Sequence, residues 1–219
     1  MQENLINIIT RASRKNLFER CYDSIQSQNY TNFLHIVTYE TDENLKHFKS
    51  VAKSDNVLFV KVPHLKQIPN LYSQGAIHFP YELYMIYAEQ SVRSGWIMYL
   101  DDDDILYDKN VLEKVNLEIQ KFNEDTLHIL RMKYNNNTIV PNDDHIILYK
   151  KGNPFDFGQI GTGCLLYHSK YKNYTYWTEW YGSDYKTAVS LRNTIPNLNI
   201  TNIIGMKIIS NQNFGKTDI

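Results

Sequence analysis

At 219 residues, with a net charge of -1 and a sequence pI near 6.6, the chain carries no field that would draw it to nucleic acid or to an anionic membrane surface. Its two cysteines, Cys21 and Cys164, lie too far apart in sequence for a disulfide framework, and no apolar segment is long enough to span a bilayer. The expectation is a cytoplasmic protein with no integral membrane segment, folded as a single domain over residues 1–219.

The chain opens with Leu5 to Ile9, a β-rich run that ends in Thr10-Arg11-Ala12-Ser13-Arg14. Leu17, Cys21 and Ile25 follow at spacings of four, which predicts a helix. Phe33 to Tyr39 reads as a second strand, Asn44 to Ala52 as a helix with Leu45, Phe48 and Val51 on one face, and Val57 to Val62 as a third strand. Strand and helix alternating in this way imply parallel pairing through right-handed crossovers. Residues 63–80 hold three prolines and a glycine and read as an extended loop. A helix over Tyr81 to Val92 leads into a fourth strand, Trp96 to Leu100. Beyond it, Asn110 to Phe122 is helical, whereas Leu127 to Met132, Thr138 to Val140 and Ile146 to Tyr149 read as short strands of an antiparallel meander. Gly152 to Gly163 is loop, Cys164 to Tyr167 a strand, Ser183 to Leu191 a helix, and Ile203 to Ile209 a last strand. The expected fold class is α/β: a mixed, mainly parallel Rossmann-like sheet flanked by helices. A nucleotide-binding half (residues 1–106) precedes a more antiparallel acceptor-binding half (residues 107–219).

The stretch around which this order turns is Trp96-Ile97-Met98-Tyr99-Leu100 running into Asp101-Asp102-Asp103-Asp104. A buried apolar strand that delivers four carboxylates at its carboxyl end asks for a cation to neutralise them, and open α/β sheets bind ligands at that edge. The competing reading is a solvated acidic turn that caps the next helix. The 17 tyrosines supply flat hydrogen-bonding surfaces that suit carbohydrate, although an AT-rich genome would enrich them too.

Several pieces, taken in order, resemble a glycosyltransferase of the GT-A fold, family 2-like, as found in bacteria and large DNA viruses. They are Ile8-Ile9-Thr10-Arg11, Cys21 to Tyr30, His35-Ile36-Val37, Gly95 to Asp104, Ile160-Gly161-Thr162-Gly163-Cys164 and Gly182-Ser183-Asp184-Tyr185. The resemblance implies a metal-dependent, inverting transfer of a sugar from a nucleotide-diphosphate donor to a hydroxyl of a glycan or glycoconjugate acceptor. It also implies a D-x-D pattern in which Asp101 meets the nucleotide or metal and Asp103 is the direct ligand of Mn²⁺ or Mg²⁺. Asp104 then stands behind the metal ligands in support or toward the sugar and acceptor. Asp102, grouped with the nucleotide side, alternates away from the strand axis and is open to a purely structural role. The family often adds a C-terminal histidine ligand; Ser210-Asn211-Gln212-Asn213 has none, which leaves Asn211, Asn213, His145 and His168 as weak substitutes.

On the donor side, Thr10 lies at the carboxyl edge of the first strand, where its backbone can meet base or ribose, and Arg11 or Arg14 can reach phosphate. Tyr39 and Glu40 end the second strand, where the resembling proteins place an acidic residue against the base; Glu40 facing uracil N3 favours a UDP-sugar. Gly161 and Thr162 bring backbone donors near the sugar. Inversion needs a base opposite the leaving group, and Asp184 is the candidate. Trp177, Trp180 and Tyr181 are candidates for an acceptor platform, with core packing an equal reading for each tryptophan. Lys150 and Lys151 adjoin a turn that can close on the diphosphate or simply be solvated. Two other classes compete. Aspartate-nucleophile phosphatases place their motif after the first strand, unlike this chain. A non-catalytic carbohydrate- or nucleotide-binding module within a larger enzyme would keep the shell without the chemistry.

Overall fold

The computed structural model describes residues 4–63, 80–178 and 182–209. Three parallel strands, β1 (Ile6–Arg11), β2 (Phe33–Tyr39) and β3 (Val57–Lys61), are connected by helices α1 (Lys15–Gln26) and α2 (Asp42–Val51). A short 3-10 turn, Pro80–Leu83, runs into α3 (Tyr84–Ser91) and then β4 (Trp96–Tyr99), which pairs parallel with β1. β1 and β4 are almost wholly buried, as expected for central strands covered on both faces. Gly95 is obligatory at the entry to β4. Its φ is +86°, and a Cβ there would stand 2.4 Å from the Leu5 carbonyl oxygen that accepts from Trp96 N–H.

The second half adds β5 (Asp104–Leu106), α4 (Val111–Ile119), β6 (Thr126–Lys133), β7 (Ile139–Val140), α5 (Asp143–Lys150), β8 (Leu165–His168), α6 (Ser183–Thr194) and β9 (Asn197–Ile208). The sheet runs β3-β2-β1-β4-β8-β6-β9-β5, with β7 on β6. The switch of direction falls at β8, antiparallel to both β4 and β6.

One sequence expectation needs correction here, and two features of the second half add to the others. The segment Ile146 to Tyr149 is not a strand but part of α5: the Asn142 side chain caps it by accepting from His145 N–H at 3.0 Å, and Asp143 and Asp144 fill its first turn. A four-residue apolar run does not by itself distinguish the two periods. The second half is the more antiparallel one, as expected, with β8, β7 and β5 all pairing in that sense, while β9 runs parallel to β6 over seven registered pairs and takes β5 antiparallel on its other edge at Met206–Ile208. The aspartate run did not suggest a strand, yet Asp104 begins β5. Asp101 to Asp103 therefore form the tight turn between β4 and β5, closed by Asp104 N–H to the Asp101 carbonyl at 3.0 Å.

Candidate functional site

The site lies where β1, β2 and β4 end, and the β1–α1 loop closes over it. Asp102 points inward, with no exposed side-chain surface. One of its oxygens accepts the backbone N–H groups of Ser13 and Arg14, each at 2.7 Å, and so satisfies donors at the start of α1. The other accepts from Arg14 Nε at 2.8 Å and from Arg14 Nη2. Arg14 in turn reaches Asp103 through Nη1 at 2.6 Å. Asp102 is thus a clasp between the strand end and the loop, and Arg14, expected to be free for phosphate, is engaged by two aspartates. Arg11 likewise spans two carboxylates, Glu82 at 2.7 Å and Asp101 at 3.0 Å. Burial opposes its charge, but Asp101 and Glu82 outweigh that and hold its pKa above the ordinary value.

Five carboxylates, Asp101 to Asp104 and Glu82, therefore face two guanidinium groups. The excess negative charge is concentrated where water is scarce. One oxygen each of Asp101, Asp103 and Asp104 lies within 4.8 Å of the others. Asp101 Oδ1, Asp104 Oδ1 and Glu82 Oε2 are buried with no hydrogen-bond partner. Burial pushes the Asp101 carboxyl up to about 6, with Asp103, Glu82 and Asp102 adding to the rise and Arg11 opposing it. Asp104, 8 % exposed, is raised well above the carboxylate range by burial and by Asp101 and Asp103. Three hard oxygen donors in reach of one point, two of them with orphaned oxygens, fit a hard divalent cation. Asp104 belongs with the other two; the resemblance had set it in support of them or toward the acceptor.

Asp184 stands in the first turn of α6, self-capped by Tyr185 N–H to its Oδ1 at 2.7 Å. Gly161 lies against this carboxylate: a Cβ there would stand 3.7 Å from Asp184 Oδ2 and would crowd Met132 Cε at 2.9 Å. Burial lifts Asp184 to about 6, Glu82 adds to the rise, and Arg11 opposes it. The candidate base therefore shares an electrostatic neighbourhood with the aspartate turn, through Glu82 and Arg11. Thr162 is half-buried at the start of a 3-10 turn, Thr162–Cys164, next to Gly161.

The remaining expectations divide. The Thr10 side chain is fully buried and bonds inward to His35 Nε2 at 2.9 Å, so it is a core residue and only its backbone lies in the strand. Tyr39 packs beside the small core of Phe18, Val37 and Phe48. Glu40 accepts a hydrogen bond from the Tyr84 hydroxyl of α3. Trp177, 5 % exposed, is held in the core by its indole N–H on Glu89 Oε1 at 2.6 Å and by an edge-on contact with Tyr99, which corrects the expectation of an acceptor platform. Trp180, Tyr181, Asn211 and Asn213 lie outside the described residues. His168 faces Trp96 at the opening end of β4, the sheet edge away from the aspartates. His145 lies in the first turn of α5, its ring against the capping Asn142 side chain and near Asp156. Lys150 borders a cavity of about 650 Å³ with Lys121, Arg192 and Asn197, by the starts of β6 and β9 and again away from the aspartate turn. Glu82 was not anticipated, because nothing in its local sequence signals a partnership with Arg11 71 positions earlier.

No protein-family model and no curated protein matches the sequence. Solved structures do match in shape. Residues 1–349 of TarS from S. aureus superpose with a TM-score of 0.64 at 13% identity, over 92% of this chain and 59% of that one. The same TarS region in complex with UDP-GlcNAc gives 0.61 at 12% identity, over 93% of this chain and 58% of that one. A mannosyltransferase from Pyrobaculum calidifontis, in complex with GDP-Man and Mn²⁺, gives 0.65 at 12% identity, over 98% of this chain and 59% of that one. The chain thus spans about three fifths of the length of the structures it resembles. Its mixed α/β sheet, parallel through β4 and reversing at β8, has the GT-A-like glycosyltransferase fold.

Proposed function

We propose that the chain is a metal-dependent, inverting glycosyltransferase that moves a sugar from a nucleotide-diphosphate donor to a hydroxyl of a glycan or glycoconjugate. The observation that carries this reading is the trio Asp101, Asp103 and Asp104: convergent, short of countercharge, and left with two orphaned buried oxygens at the end of β4. The neighbours' complexes with UDP-GlcNAc and with GDP-Man and Mn²⁺ support a nucleotide-sugar and a divalent cation as the ligands. Mn²⁺ or Mg²⁺ held by the three aspartates would neutralise charge on the departing diphosphate.

The chain's own residues do the rest. Asp102 fixes the β1–α1 loop against the strand end and keeps Arg14 over Asp103. Arg11 holds Glu82 and Asp101 in one frame. The Asp184 carboxylate takes the proton of the acceptor hydroxyl as its oxygen bonds to the anomeric carbon, and the nucleoside diphosphate leaves with the electron pair of the broken C–O bond. A uridine donor is the first choice, because Glu40 closes β2 on the donor side.

A thermal-shift screen of UDP, GDP, dTDP and CMP with and without Mn²⁺ tests the reading. A diphosphate should raise the melting midpoint only when Mn²⁺ is present, by mass action on the folded state. If none of the four does so, the proposal is wrong.

A further inference from the structure

Glu82 resembles Asp101 in having one oxygen on Arg11 and a second that is buried and unpartnered, and differs from it in standing outside the three convergent aspartates. One of its oxygens is held by Arg11 at 2.7 Å, which already compensates its charge. The other, Oε2, is buried and has no partner. An unpaired buried acceptor is costly unless a donor completes it. Asp101, Asp103 and Asp104 converge on one point and Glu82 is not among them, so what this oxygen lacks is a hydrogen-bond donor and not a cation.

Its position identifies the donor. Through Arg11, Glu82 is tied to Asp101 on the metal side; it also acts directly on the charge of Asp184 on the other. In an inverting displacement the sugar ring occupies the space between the departing diphosphate and the incoming hydroxyl. We propose that Glu82 binds a hydroxyl of the donor sugar through Oε2, and so helps to decide which sugar is transferred. This rests on the glycosyltransferase reading above, and it assigns a sugar contact to a residue outside the aspartate run. A neutral, fixed hydroxyl on a charge-compensated carboxylate gives a strong and directional bond, the kind that rejects analogues lacking that hydroxyl.

The test is isothermal titration of wild type, Glu82→Gln and Glu82→Ala, in Mn²⁺, with UDP and GDP and with UDP-GlcNAc, UDP-glucose, UDP-galactose and GDP-mannose. Glu82→Gln keeps the acceptor for Arg11 and puts an amide NH₂ where Oε2 stood. Glu82→Gln should weaken binding of the preferred nucleotide-sugar by about tenfold while leaving the matching diphosphate and Mn²⁺ itself unchanged, and Glu82→Ala, which also releases Arg11, should weaken the nucleotide-sugar at least as much. In Glu82→Gln, equal loss for sugar and diphosphate, loss of Mn²⁺ binding, or no loss at all would each overturn the assignment. Absence of nucleotide binding by the wild type would instead overturn the reading of the whole site, and this inference with it.

Discussion

Two buried acidic sites meet at the end of β4, one through Tyr99 and one two residues beyond it, and differ in kind. Glu89, on α3, is 3 % exposed, and four uncharged side chains donate to it: Tyr99, Tyr167 at 3.1 Å, Trp177 at 2.6 Å and Thr175 at 2.8 Å. The aspartate turn, which starts two residues after Tyr99, has two arginines beside it and still leaves oxygens of Asp101 and Asp104 with no partner. Burial does not separate the two, and charge alone would point to the better-neutralised one as structural. Hydrogen-bond completeness is the discriminating quantity. Glu89 has used its lone pairs on the fold, whereas the turn holds some in reserve for a ligand.

The sharpest way to break that contrast is Asp103→Asn. Removing one carboxylate from an over-charged cluster relieves repulsion, so the melting midpoint without metal should not fall. Mn²⁺-dependent nucleotide binding should weaken at least about a hundredfold, and transfer should drop by about a thousandfold. Near-normal turnover in this variant would remove the metal assignment. Asp184→Asn comes next. It should leave Mn²⁺-dependent nucleotide binding intact and lower kcat by about a hundredfold or more, as loss of a general base does. A kcat equal to that of wild type would end its candidacy.

Asp184 also sets a pH dependence. Its carboxyl is raised to about 6, so the base form is lost as pH falls below that value and kcat should fall with it. The stability sign is opposite. Because the folded carboxyl binds its proton more tightly than the unfolded one near 3.8, Asp184 destabilises the fold at neutral pH, and stability is recovered as pH drops from about 6 toward 4. Comparing the pH profiles of wild type and Asp184→Asn, by kcat and by melting midpoint, checks both directions at once. A rate that stays flat from pH 7 to 5 in wild type would show that another group takes the proton.

What could be read without coordinates follows the range of the interactions involved. β1 to β4 and their helices were legible because each is a short apolar run or a helical pattern, signals carried within a dozen residues, although β3 is only partly covered. β5 was not, since three residues that begin with an aspartate make a strand only because β9 lies beside them. Asp101 and Asp103 stood out as adjacent carboxylates behind an apolar strand. Convergence of Asp104 with them needed the β4–β5 turn, and the role of Asp102 needed the loop at Ser13 and Arg14, 88–89 positions earlier. Trp177 was ambiguous in sequence because an indole serves a core and a sugar platform equally well; only the buried Glu89 beneath it decides. Glu82 carried no local mark at all.

Glu89 itself supplies the smallest expected effect on function and the finest test of the contrast. Its Oε1 accepts from Tyr99, Tyr167 and Trp177, while Oε2 accepts only from Thr175, whose hydroxyl also reaches the Lys172 carbonyl at 2.8 Å. A glutamine can therefore keep its carbonyl oxygen on the three-donor side and turn its NH₂ toward Thr175 Oγ1, whose proton then goes wholly to Lys172. Glu89→Gln should cost only about 1 kcal/mol, the difference between charged and neutral acceptors. Glu89→Ala, which strands donors around a void, should cost about 3 kcal/mol or more. Neither should change Mn²⁺-dependent nucleotide affinity by more than about twofold when measured well below the melting midpoint, because none of the four donors belongs to the aspartate turn. If Glu89→Gln lowered that affinity as Asp103→Asn is expected to, a fully satisfied carboxylate would be acting on the ligand site through Tyr99, and hydrogen-bond completeness would no longer separate scaffold from site.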